Sequence, residues 1–182
     1  MRLLDVGGGT GDIAFRFLER GGASVTVIDV NDEMLKQGRD RATDRGILDS
    51  IEWAQGDAEN LPVADASQAA YTTAFCIRNV THIDQALSEA RRVLKPSGRF
   101  LCLEFSQVVL PVLDKLYETY SFKVLPALGE QVAGDRQAYQ YLAESIRRFP
   151  AQGPFSDMIT EAGLDQVKVR NLSGGIAAIH SA

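Results

Sequence analysis

The residues best suited to ligand chemistry are a glycine-rich run, Gly7-Gly8-Gly9-Thr10-Gly11, flanked by Asp5 and Asp12, together with Asp29 at the end of the next apolar stretch. Glycines at 7, 9 and 11 let the chain take positive φ angles and let a ligand lie against bare main chain. An aspartate at the tip of a second strand can accept hydrogen bonds from two ribose hydroxyls. The spacing is G-x-G-x-G, whereas a dinucleotide fingerprint, G-x-G-x-x-G, sets a helix N-terminus on a pyrophosphate. Carboxylates on both sides of the turn would repel a pyrophosphate. They suit a ligand carrying an ammonium and a sulfonium, which is the chemistry of S-adenosylmethionine.

Further positions fall at strand ends that open on one crevice. Adenine is expected between Val30 and Ala58, with Asp57 accepting from its exocyclic amine and Thr10 meeting the methionine portion. Methyl transfer from a sulfonium needs an in-line, nucleophilic acceptor more than it needs donor activation. Arg78 and Asn79 sit where the methyl group would emerge. Such a pair can hold a phenolic oxygen and favour its anion, which pushes electron density onto the adjacent ring carbon. Arg78 is unsuited to accept a proton. His82, at a helix start, reads more readily as a surface or capping residue than as a base. No N-P-P-Y-type element, the mark of enzymes acting on exocyclic base nitrogens, follows the fourth strand.

The elements that would position these residues alternate. Strands are expected at Leu3 to Val6, Val25 to Ile28, Ile51 to Ala54, Ala70 to Ile77 and Arg99 to Phe105. Helices are expected at Asp12 to Arg20, after a cap at Asn31 or Asp32 with Gly46 at its end, and at Asp84 to Leu94. Alternation of this kind predicts a parallel sheet with right-handed crossovers and helices on both faces. From Leu110 to Phe149 the pattern turns helical and aromatic, with Tyr117, Tyr120, Phe122, Tyr139, Tyr141 and Phe149, and reads as an inserted lid over about residues 110–150. A helix at Phe155 to Ala162 and strands at Val167 to Asn171 and Ile176 to His180 close a seven-stranded sheet.

The 182 residues suffice for one domain. A net charge of -5 argues against a nucleic-acid substrate, since a polyanion is not drawn to an acidic field. Cys76 and Cys102 lie in apolar runs without C-x-x-C spacing, so no metal site is expected and free thiols in a reducing compartment are. No apolar run approaches the roughly 18 residues of a membrane-spanning helix. A cytoplasmic protein is expected on these grounds.

Ile77-Arg78-Asn79-Val80-Thr81, the run Arg92-Val93-Leu94-Lys95-Pro96-Ser97-Gly98-Arg99-Phe100-Leu101-Cys102-Leu103-Glu104-Phe105-Ser106, and Tyr139-Gln140-Tyr141-Leu142-Ala143-Glu144-Ser145-Ile146-Arg147 resemble the UbiE/MenG family of quinone-biosynthesis C-methyltransferases. The likeness runs from Leu3 to Ser181, and its glycine turn is shared by class I methyltransferases at large. It implies a Rossmann-like class I fold and an enzyme that uses S-adenosylmethionine to methylate a ring carbon of a polyprenylated hydroquinone. That acceptor would be a 2-methoxy-6-polyprenyl-1,4-benzoquinol or a demethylmenaquinol. Catalytic roles would fall on Arg78 and Asn79, and cofactor binding on Asp5, Gly7, Gly9, Thr10, Gly11, Asp29, Val30, Asp57 and Ala58. Two positions depart from the family pattern: Ala74 stands where serine is common, and Ser97 where glycine is usual. The family's cover helices ahead of the first strand are expected to be missing. Contact with the inner membrane surface is expected from the substrate's insolubility, and a quinone-synthesis assembly and a second copy of the chain (a homodimer) are further candidate partners. The alternatives are a binding subunit with little turnover and a small-molecule O- or N-methyltransferase.

Overall fold

The computed structural model describes residues 1–106 and 136–182. One sheet holds the strands β1 (Arg2–Val6), β2 (Ser24–Asp29), β3 (Ile51–Gln55), β4 (Gln68–Ala74), β5 (Leu94–Phe105), β6 (Lys168–Leu172) and β7 (Ala177–Ser181). Their order is β3-β2-β1-β4-β5-β7-β6. β1 to β5 pair in parallel, and β7 runs antiparallel between β5 and β6. The Rossmann-like α/β sheet expected from the sequence is the one formed, closing hairpin included.

Period-two side-chain alternation divides the core between the two faces of this sheet. Leu3, Val25, Val27 and Ala70 turn to one side and pack with Phe15 of α1 (Asp12–Glu19) and Leu35 of α2 (Asp32–Asp44). Leu4, Ile28, Tyr71 and Phe100 turn to the other and pack with Leu87 and Val93 of α3 (Ile83–Val93) and with Phe155 and Ile159 of α5 (Gln152–Glu161). Each such buried side chain contributes about 1.5–3 kcal/mol. Asn31 caps α2, its Oδ1 accepting from the Glu33 and Met34 amides, and Gly46 follows the helix at a φ of 69°. α4 (Arg136–Arg148) lies within the expected insertion. Tyr117, Tyr120 and Phe122 lie outside the described residues. No described helix is long and apolar enough to cross a membrane.

Several boundaries differ from expectation, among them the start of α5 at Gln152 in place of Phe155, and two of the shifts have a visible cause. β4 stops at Ala74, short of Ile77, because Phe75 takes a φ of 54° and the chain coils into a 3-10 turn over Ile77–Asn79. β5 begins at Leu94, ahead of Arg99, since Leu94 already pairs with Gln68 before the register shifts. Ser97 sits in that irregular stretch at a φ of 62°. A side chain there costs about 1–2 kcal/mol, partly offset by the larger unfolded-state freedom of glycine. Ser97→Gly is therefore expected to stabilise the protein by about 0.5–1 kcal/mol in urea unfolding. A loss of stability would show that the hydroxyl has a role of its own.

Candidate functional site

The C-terminal ends of β1, β2 and β4 enclose a cleft of about 320 Å³ that brings together Gly7, Asp29, Val30, Asp57, Ala58 and Asn79. A larger groove, about 770 Å³ and lined by Ser97, Arg99 and Lys168 among others, lies at the opposite end of β5 and holds none of these residues. Asp5, Gly9, Thr10, Gly11 and Arg78 do not line the smaller cleft. Sequence reasoning missed Glu59, Phe75 and Cys76, which do.

Asp29 ties the site together. Its Oδ2 accepts from the Gly9 amide at 2.9 Å and its Oδ1 from the Asn31 amide at 2.9 Å, so the glycine loop and the start of α2 share one carboxylate. Each oxygen keeps further lone-pair capacity for a ligand hydroxyl. Val30 is 62% exposed, large for a valine in a folded protein, and its carbonyl is held by the Gln55 side chain at 2.9 Å. Asp57 Oδ1 accepts from the Glu59 amide at 2.9 Å within its own turn. A nucleoside fits these observations. Asp29 offers acceptors to the ribose, Val30 and Ala58 offer apolar surface to the base, and Asp57 offers an acceptor to an amine.

The glycines act differently from the expectation that they bare the main chain to the ligand. A Cβ on Gly7 would collide with Cys76 Sγ, one on Gly9 would lie 2.7 Å from Met34 Cε, and one on Gly11 would lie 2.5 Å from the Trp53 ring. Their missing side chains make room for neighbouring elements, and only Gly7 also faces the cleft.

The two carboxylates flanking the loop need the same correction. Asp12 accepts from Arg41 Nη2 at 2.7 Å, while Arg41 Nη1 donates to the Thr10 hydroxyl at 2.6 Å and to its carbonyl at 3.0 Å. Arg41 thus clamps the loop from α2 and offsets the Asp12 charge. Asp5 is fully buried; the Thr72 hydroxyl donates to its Oδ1 at 2.9 Å and its Oδ2 has no partner. Burial pushes this carboxyl up to about 7, against the pull of the Thr72 hydrogen bond and with a smaller push from the Asp29 charge. Of Asp5, Asp12 and Asp29, only Asp29 lines the cleft.

Because the folded value lies above the unfolded one, Asp5 stabilises the fold at low pH, and that contribution is lost as pH rises through about 7. Asp5→Asn does not titrate. Its stability relative to the parent is expected to improve by roughly 2–4 kcal/mol between pH 4 and pH 8. Parallel stability curves in urea for the two proteins across that range would refute the assignment.

Glu59 forms another part of the cleft wall. Its Oε1 accepts from the Thr81 amide at 2.6 Å and the His82 amide at 2.9 Å, and its Oε2 lies 2.8 Å from His82 Nδ1. These bonds hold Glu59 below the usual carboxylate range and raise His82. His82 stands at the N-cap position of α3 but its side chain makes no capping hydrogen bond; its pairing with Glu59 joins the loop after β3 to that helix instead.

Arg78 points away from the cleft. Its Nη1 donates to Glu104 Oε1 at 2.8 Å and to the Phe75 carbonyl at 2.6 Å, its side chain is 10% exposed, and its Nε is buried without a partner. The guanidinium carbon lies 5.2 Å from the centre of the Phe105 ring and 6.0 Å from that of Phe75. Asn79 does face the cleft, and its Oδ1 accepts from the hydroxyl of Tyr141 on α4 at 3.3 Å. The 3-10 turn therefore separates the pair. Asn79 borders the nucleoside cleft, and Arg78 stands in an aromatic, desolvated slot between β4 and β5.

Comparison with known proteins identifies the family and the fold. The model of the ubiE/COQ5 methyltransferase family matches residues 1–182. Ubiquinone/menaquinone biosynthesis C-methyltransferase UbiE of Brucella abortus (strain S19) is 58% identical over 180 residues, 98% of this chain and 67% of that protein. The protein of the same name from Brucella anthropi is also 58% identical, over 98% of this chain and 68% of its own length. Among solved structures, a SAM dependent methyltransferase from Aquifex aeolicus superposes with a TM-score of 0.68 at 18% identity, covering 100% of this chain and 81% of its own. Phosphoethanolamine N-methyltransferase 2 of Haemonchus contortus gives a TM-score of 0.68 at 22% identity, over 95% of this chain and 35% of its own. These two likenesses speak for the fold. The chain belongs to the ubiE/COQ5 methyltransferase family.

Proposed function

We propose that this protein methylates a ring carbon of a polyprenylated hydroquinone with S-adenosylmethionine as donor, in the biosynthesis of ubiquinone, menaquinone or both. The observation that carries the reading is the 58% identity to proteins named for that reaction, which spans the turn at Ile77–Asn79. When bound, S-adenosylmethionine would supply an electrophilic methyl group on a sulfonium, the sulfur being the leaving group that keeps the bonding electron pair. Asp29 holds the ribose, Asp57 accepts from the adenine amine, and Val30 and Ala58 flank the base. Asp5, Thr10 and the loop glycines shape the turn from behind, and Arg41 holds it closed.

Ring carbons are weak nucleophiles until a neighbouring hydroxyl ionises. An anion favoured by Arg78 and Asn79 lets the ring carbon give the electron pair that forms the new carbon–carbon bond, after which the ring C–H proton is lost to water, an equivalent proton returns to the ring oxygen and aromaticity is restored. Preorganised donors in a water-poor site favour such charge more than solvent does. Arg78 meets both conditions, being desolvated and having a buried, unpartnered Nε.

The test is transfer of a labelled methyl group to short-chain quinol analogues by the purified protein. Carbon methylation of a benzoquinol or naphthoquinol supports the proposal. Turnover only on simple phenols or amines would replace it with a small-molecule O- or N-methyltransferase. Cofactor binding without any turnover would replace it with a binding subunit. The prenyl tail also requires the site to meet a bilayer. Phe75, 38% exposed, and Tyr141, 55% exposed, are the apolar groups near the acceptor side that would face one.

A further inference from the structure

Glu104, next to last in β5, is 1% exposed, a carboxylate almost wholly removed from water. Both of its oxygens are engaged. Oε1 accepts from Arg78 Nη1 and from the Phe105 amide, each at 2.8 Å, and Oε2 accepts from the Arg78 amide at 3.3 Å. It therefore holds Arg78 at both the guanidinium and the main chain. Among the described residues Arg78, Cys76 and Cys102 are the titratable groups that face it, and β7 presents Ala178 in register. A buried ion pair gives little stability over apolar side chains of the same volume. The pairing here has a geometric consequence instead. It occupies Arg78 Nη1 and leaves Nε as a buried donor without an acceptor, on a guanidinium whose carbon lies within 6.0 Å of the ring centres of Phe75 and Phe105.

We propose that Glu104 is a positioning residue for methyl transfer, fixing the Arg78 guanidinium so that its remaining donors meet the acceptor's ring oxygen and, by its own charge, tempering how strongly that cation favours the ring-oxygen anion. The proposal rests on the reading of the acceptor as a quinol. It separates two effects, orientation and charge, that two substitutions distinguish. Glu104→Gln keeps the size and removes the charge. The bound quinol then meets an unbalanced guanidinium, and the acid limb of the kcat profile against pH is expected to move down by about one unit or more. Its kcat should fall about 10- to 100-fold while KM for S-adenosylmethionine stays within about twofold, since Glu104 does not line the nucleoside cleft. Glu104→Asp keeps the charge and withdraws it by one methylene, so kcat falls and the acid limb stays in place.

Wild-type kcat and an unmoved profile in Glu104→Gln overturn the proposal. Where Glu104→Gln does not fold, Glu104→Asp decides it: normal adenosylhomocysteine binding with wild-type kcat is the overturning result. Methylation of a simple phenol but of no quinol would sink the quinol reading alone, and the same comparison is then made on that phenol. Methylation of amines only would sink both. Hydrogen exchange at the Arg78 Nε, followed by nitrogen NMR, reads the hold independently of turnover. It is expected to be slow in the parent and faster in both variants, and equal exchange in all three refutes the proposal.

Discussion

Asp29→Ala is expected to lower affinity for adenosylhomocysteine by about 100-fold or more. A hydrogen bond to a charged group contributes about 1.5–3 kcal/mol, so the loss of two ribose contacts amounts to about 3–6 kcal/mol, or 10²- to 10⁴-fold. The substitution also frees the Gly9 and Asn31 amides, each bonded to this carboxylate at 2.9 Å, and so loosens the loop and the first turn of α2 before any ligand arrives. Asp29→Asn retains one acceptor oxygen and offers an amide where the second ribose hydroxyl or the Gly9 amide needs an acceptor. It should bind more weakly than the parent and more tightly than the alanine variant. Calorimetry with adenosylhomocysteine measures all three. An alanine variant within threefold of the parent would mean that the ribose lies elsewhere.

The elements around this site were legible because their signals are local. Short apolar runs at Leu3 to Val6 and Val25 to Ile28 mark strands, Asn31 ahead of two acids marks a helix start, and the ribose acid follows directly from where β2 ends. The charge state of the site was not legible, since it depends on partners far away in sequence. Asp12 and Thr10 are met by Arg41 from α2, and Arg78 is met by Glu104 only because β4 and β5 are neighbours in the sheet. Asp5 reads as a carboxylate at the mouth of the loop, yet its place in the middle of a parallel sheet buries it completely and raises its proton affinity. The glycines were assigned to the right motif for an incomplete reason, because Cys76, Met34 and Trp53 approach them from separate elements. Phe75 gives no local sign of a left-handed conformation. That strained residue ends β4 early and turns Arg78 toward Glu104 rather than toward the nucleoside.

Substitution of Arg78 tests the acceptor side of the same reading, and the choice of variant matters. Arg78→Ala leaves Glu104 as a buried charge with no cationic partner, a situation that costs about 3–5 kcal/mol. That variant is expected to lose transfer and stability together, which says little about chemistry. Arg78→Lys keeps a cation for Glu104 but replaces the planar fork with a single ammonium, so a donor that occupies Glu104 cannot also reach the acceptor in the same geometry. Its melting temperature and adenosylhomocysteine affinity should stay near those of the parent, because Arg78 does not line the nucleoside cleft. Methyl transfer to a quinol should fall by about 10²- to 10³-fold, the loss typical of removing one preorganised donor from a charge that develops during reaction. Both the lysine and the alanine variants are needed. Full activity in Arg78→Lys would show that positive charge alone suffices, and full activity in a folded Arg78→Ala would remove Arg78 from the reaction and leave Asn79 as the residue that meets the acceptor.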